Sequence, residues 1–196
     1  MKRLLTFTAM LVTVLCLASC AVTGGKTGSR KNGLGSRFQA TVSVTLDRLE
    51  AEGTVKRFGD GMWEIEFSEP NTLSGVKLKF AEGNVDASYK GLSFSVPQSA
   101  LPMKAMMLNL IEAVDKNAKL TELKGEEKDD MLAVSGKLDS GDYVLTVDNE
   151  GKLCGFSMEN HKLEMKFTEL SGITDPEGAS EAETTEETTA AETSGT

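Results

Sequence analysis

His161 is the single histidine of this 196-residue chain, and Cys154 is the single cysteine beyond residue 20. A nucleophilic cysteine needs a base to take its proton, so a Cys154–His161 pair is the arrangement of these two that would do chemistry. Their neighbours point elsewhere. Cys154 sits between Leu153 and Phe156 in an apolar run and reads as a small buried hydrophobe. His161 follows Asn160 near a strand start and reads as an exposed or structural imidazole. One histidine cannot build a zinc site of common composition, and no Gly-rich phosphate loop follows a strand. Glu64 with Glu66, and Glu50 with Glu52, stand two residues apart on one strand face. Carboxylate pairs serve glycosidases. These alternate with apolar residues, which puts them on a solvated face. Asp129-Asp130 lacks the glycine and the ligand spacing of a calcium loop. The side chains therefore set out no reaction; no enzyme, metal or cofactor is expected.

The chemistry that the sequence does announce is at the N-terminus. Lys2 and Arg3 precede a mostly apolar run from Leu4 to Leu17, too short to span a bilayer comfortably as a mature helix. The run ends in Leu17-Ala18-Ser19-Cys20. This resembles the lipobox of bacterial lipoproteins, in which small residues precede a cysteine that is acylated and becomes the new N-terminus. The resemblance implies lipidation of Cys20 and a place on the outer face of a bacterial membrane. Each buried CH₂ contributes about 0.8 kcal/mol, so two or more acyl chains anchor stably. Residues 1–20 are then a signal peptide, and residues 21–37, rich in Gly, Ser and Thr, read as a flexible tether. Its basic residues stand beside the anchor, within reach of anionic headgroups; a solvated spacer is the simpler reading.

The formal net charge is −9. Residues 1–37 carry +6, residues 38–173 carry −8, and residues 174–196 carry −7. An acidic domain with an acidic tail argues against nucleic acid, whose phosphates need a basic surface. The tail is Glu, Thr and Ala with almost no apolar bulk and reads as disordered. Residues 38–173 can bury roughly two thirds of their unfolded surface, enough for one core. One cysteine in that range closes no intramolecular disulfide, so the core must hold the fold.

Within it, apolar and polar residues alternate along Phe38–Leu46, Leu49–Lys56, Trp63–Phe67, Val76–Phe80, Val85–Tyr89 and Leu92–Val96. The pattern resumes at Leu132–Leu138, Tyr143–Val147, Leu153–Met158 and Leu163–Phe167. The charged stretch from Lys124 to Asp130 reads as a solvated loop. Between the two groups lies one segment with helical period, Ser99 to Lys116. Met103, Met106, Met107, Leu110, Ile111 and Val114 form its apolar stripe, and Lys104, Glu112, Asp115 and Lys116 fall on the other side. Short connections predict antiparallel neighbours, and one polar face per strand predicts a sheet wet on one side. The fold class is mainly β (α+β): about ten antiparallel strands with one amphipathic helix on their dry side.

An acylated N-terminus, a long meander and a returning helix resemble the LolA/LolB-like superfamily of lipoprotein carriers, and more closely the clostridial lipoproteins of the GerS type. Gly53-Thr-Val-Lys-Arg57, Met62-Trp-Glu-Ile-Glu-Phe67, Thr72-Leu-Ser-Gly-Val76 and Ala87-Ser-Tyr-Lys-Gly-Leu-Ser-Phe-Ser-Val-Pro97 carry the likeness. It implies a strongly curved half-barrel with the helix in its concave side. In carriers that concavity holds acyl chains. Two functions stay open. One is binding of a lipid or other apolar ligand, with Met103, Met106, Met107, Leu110, Ile111, Val114 and Trp63 as cavity candidates. Flexible methionines repack around a variable ligand, though they equally fill cores. The other is an adaptor for an envelope enzyme that processes peptidoglycan or acts in sporulation or germination. A packed concave face favours the adaptor; an apolar cavity of several hundred Å³ favours the carrier.

Overall fold

A computed structural model describes residues 26–98 and 106–173. Among them are twelve strands: β1 (Lys26–Lys31), β2 (Phe38–Leu46), β3 (Leu49–Gly59), β4 (Met62–Glu69), β5 (Lys77–Ala81), β6 (Asn84–Tyr89), β7 (Leu92–Pro97), β8 (Glu122–Lys128), β9 (Met131–Leu138), β10 (Gly141–Val147), β11 (Leu153–Met158) and β12 (Leu163–Gly172). One helix, α1 (Met106–Ala118), lies between β7 and β8. All pairings are antiparallel, and the sheet order is β1-β8-β9-β10-β11-β12-β2-β3-β4-β5-β6-β7. The sheet is open, curved and wrapped around α1.

The ten strands read from alternation are present as β2–β7 and β9–β12. In β2 the residues Phe38, Ala40, Val42 and Val44 are buried and Gln39, Ser43 and Thr45 are exposed. The wet face carries cross-strand ion pairs: Lys56 and Lys77 both approach Glu64, and Lys77 also approaches Glu66 at 3.2 Å. The carboxylate pair Glu64/Glu66 is thus spent on lysines across the pleat.

Two strands were not expected, and they pair with each other. The segment read as a flexible tether contains β1, and the segment read as a charged loop is β8; they match from Lys26↔Glu127 to Lys31↔Glu122. Neither has apolar alternation, because the pair forms the edge of the sheet. Ionic contacts hold it: Arg30 Nη1 meets Glu127 Oε1 at 2.6 Å, and Ser29 Oγ donates to Glu122 at 3.0 Å. The Arg30 guanidinium holds the Glu127 carboxyl below the usual carboxylate range. Gly125 faces the neighbouring strand so closely that a Cβ would collide with the Ala133 carbonyl.

After β1 the chain turns onto the helix. Asn32 Nδ2 donates to the carbonyls of Asn117 (2.8 Å), which also accepts from the Leu120 N–H, and of Leu120 (2.6 Å) just past the helix end. Leu34 is 1% exposed and belongs to the core. The spacer reading of residues 26–37 is therefore corrected: this stretch closes the core over the C-terminal end of α1.

Candidate functional site

The residues expected to line a concave cavity are positioned by α1 and by β4. Leu110 and Val114 are fully enclosed, Met107 and Ile111 nearly so, and Met106 is partly buried against the same cluster. Trp63, from β4, is fully enclosed and packs edge-on against Phe38 with ring centroids 5.7 Å apart. Met103, with Ser99, Pro102 and Lys104, lies outside the described residues, as do Cys20, residues 1–20 that read as a signal peptide, and residues 174–196.

The helix is not dry on one side only. Asp115, expected opposite the apolar stripe, is buried, as are Asn109 and Asn117. The sheet curves far enough to meet both flanks. On one, Arg57 of β3 reaches inward and its Nη2 lies 2.8 Å from Asp115 Oδ1, with Nε at 3.0 Å. Asp115 Oδ2 accepts from the Gly61 backbone N–H at 2.7 Å and from Trp63 Nε1 at 3.2 Å. Arg57 Nη1 donates to the carbonyls of Gly35 and Ser36. This network satisfies a buried charge pair and clamps helix, sheet and N-terminal segment together. On the other flank, Asn117 Nδ2 donates to the Tyr143 hydroxyl oxygen at 2.7 Å, and Ser140 Oγ donates to Asn109 Oδ1 at 2.8 Å.

Among the cavities, one of about 480 Å³ is lined by Gln98, Leu108, Asn109, Ile111, Glu112, Asp139 and Ser140. Of the expected cavity residues, Ile111 lines it. Asn109, which the sequence did not single out, is 4% exposed, and its Nδ2 has no hydrogen-bond partner. A buried amide donor left unmade costs about 1–3 kcal/mol, so it marks a place where an acceptor belongs. A larger cavity of about 690 Å³ lies elsewhere, with Leu34, Phe38, Leu153 and Leu170 beneath and Lys31, Arg37 and Lys152 around it. It touches none of the expected residues. Lys152 there is paired with Glu150.

The concave surface also runs on past the helix. In register, Leu78, Ala87 and Phe94 follow one another across β5, β6 and β7. Ala87 is buried, but Phe94 is 63% exposed and its neighbour Leu92 is 75% exposed.

The two residues of possible nucleophilic chemistry are turned to separate partners. His161 Nε2 stands 3.0 Å from the Ser140 carbonyl, in a short 3₁₀ turn after β11. Cys154 Sγ points at the Lys152 carbonyl, and burial, then the Asp148 carboxylate, push its thiol above the ordinary range. A raised thiol is a weak nucleophile at neutral pH.

No family model matches this chain, and no curated protein matches it. Solved structures similar to it include an uncharacterized conserved protein from Thermus thermophilus, at TM-score 0.46 and 15% identity over 71% of this chain and 80% of that one. A LolA superfamily protein from Nitrosomonas europaea is similar at TM-score 0.38 and 12% identity, over 74% and 90%. A DUF1329 family protein from Desulfovibrio piger is similar at TM-score 0.40 and 13% identity, over 78% and 88%. Likenesses of this strength assign no residue a role.

Proposed function

We propose that this chain is a non-catalytic, LolA-like lipoprotein of the bacterial cell envelope, held on the outer face of the membrane by acyl chains on Cys20, that binds a lipid or other apolar ligand. The observation that carries the binding half is Asn109. Its amide Nδ2 is buried without a hydrogen-bond partner, and the residue lines a cavity of about 480 Å³ whose wall includes Leu108 and Ile111. An ester or amide carbonyl would satisfy the donor, and an acyl chain would cover the apolar wall. The anchoring half rests on the Leu17-Ala18-Ser19-Cys20 stretch.

Asn109→Leu separates a binding role from a structural one. The substitution removes a buried donor with no partner, which stabilises, and the acceptor of the Ser140 hydroxyl, which costs about 1 kcal/mol, so the two effects oppose each other. The variant is expected to melt within a few degrees of wild type and to bind a fluorescent acyl ester about tenfold more weakly, the worth of one hydrogen bond of about 1.4 kcal/mol. Equal binding by the two proteins, measured by titration, would remove the ligand from this cavity. For the anchor, Cys20→Ala is expected to leave the membrane fraction on cell fractionation; retention there would contradict it.

A second reading, an adaptor for an envelope enzyme, is favoured by a different observation. The helix core is packed, with Leu110, Val114 and Trp63 enclosed, while Leu92 and Phe94 stand bare at the β7 edge. Exposed large apolar side chains on an unprotected edge suit a protein partner.

A further inference from the structure

The sheet begins almost at the anchor. Residues 21–25 alone separate Cys20 from Lys26, the first residue of β1. That length of chain spans no more than about 20 Å even when fully extended. Beyond Lys26 there is no slack. β1 pairs with β8 at six successive positions, Asn32 is bonded to the helix end, and Leu34 is sealed in the core. We propose that the β1–β8 edge of the sheet, near Lys26 and the turn between β8 and β9, lies against the phospholipid headgroups. This placement rests on the reading of Cys20 as acylated.

The strand pair as a whole is neutral. Residues 26–31 and 122–130 carry five bases and five acids. The described residues as a whole carry 18 bases and 23 acids, so the net −5 lies entirely on the rest of the molecule. An anionic bilayer repels that remainder over about one Debye length, roughly 8–10 Å; at the end placed on the headgroups, Lys26 with residues 126–130 carries two bases and four acids, so the tether and not the charge holds it there. The tether therefore selects the side. The two edges of the sheet also divide their work: β1 is charged and Lys26 is mostly exposed, whereas β7 is apolar and free to meet a ligand or partner away from the membrane.

The test uses the full mature acylated chain in vesicles of phosphatidylglycerol and phosphatidylethanolamine with an acceptor dye on the headgroups. A donor dye is placed at Thr27→Cys in one protein and at Ser93→Cys in another, both with Cys154→Ser. Energy transfer is expected to be strong from position 27 and weak from position 93. Inserting about twelve Gly and Ser residues after Thr23 adds about 20 Å of flexible reach and is expected to abolish the difference. Mass spectrometry of the N-terminal peptide reports the acyl group in the same sample. Equal transfer from an acylated chain would overturn the placement alone. A chain without the acyl mass would overturn the anchor and the placement with it.

Discussion

Arg57→Ala is expected to destabilise the domain by about 3–5 kcal/mol, because it strands the Asp115 carboxylate in the core. Arg57 and Asp115 are 3% and 5% exposed, and the guanidinium makes two contacts of 2.8 and 3.0 Å to one carboxylate oxygen. The loss is of the order of a third of the total stability of an ordinary domain, about 5–15 kcal/mol. Urea denaturation reads it as a lower midpoint at unchanged slope. The double variant Arg57→Met with Asp115→Leu decides why. Removing both charges spares the desolvation penalty and is expected to recover much of the loss. Recovery stays incomplete, since the Gly61 N–H and Trp63 Nε1 lose their acceptor, at about 1–3 kcal/mol for each donor left buried. A single variant as stable as wild type would mean that the pair contributes nothing to holding α1 in the sheet.

Leu34→Ala is expected to cost about 2–5 kcal/mol, the range for removing a buried leucine side chain and leaving its cavity. The residue is 1% exposed between β1 and β2. A substitution in a solvated spacer changes stability by no more than about 0.5 kcal/mol. The two readings of residues 26–37 therefore differ by at least fourfold in the expected loss, well outside measurement error. A thermal melt of Leu34→Ala beside wild type settles it. An unchanged midpoint would return this stretch to the status of a tether and would detach the membrane placement of β1 from its support.

These two residues also mark where the sequence was readable and where it was not. Ten strands were legible because each presents one apolar and one polar face, and period two leaves little else to fit. β1 and β8 were not, since a charged edge pair is held by Arg30, Ser29 and their glutamates and needs no apolar face. For the helix, Met107, Leu110, Ile111 and Val114 gave the core stripe correctly. Asp115 reads as part of the side opposite the stripe, yet it continues the row Met107, Ile111, Asp115 at four-residue spacing. The signal that would have placed it inside was Arg57. It continues the inward row of β3 after Ala51, Gly53 and Val55, and an arginine there needs a carboxylate opposite. Asn109 and Asn117 follow the same logic on the other ridge, with Ala113 between them; uncharged polar side chains at helical spacing met Ser140 and Tyr143 across the curve of the sheet. Depth of curvature is a property of the whole sheet, and no local pattern encodes it. For the same reason the cavity residue Ile111 was legible as apolar, but its neighbour Asn109 was not legible as a donor without a partner.

The most direct test of lipid binding is native mass spectrometry of residues 21–196, purified from bacteria without prior extraction and again after incubation with membrane extract. The account predicts a second charge series heavier by a lipid mass, removed by solvent extraction and depleted in Asn109→Leu. A clean mass of the bare chain in both preparations would contradict it, leaving the exposed β7 edge and a protein partner as the place to look.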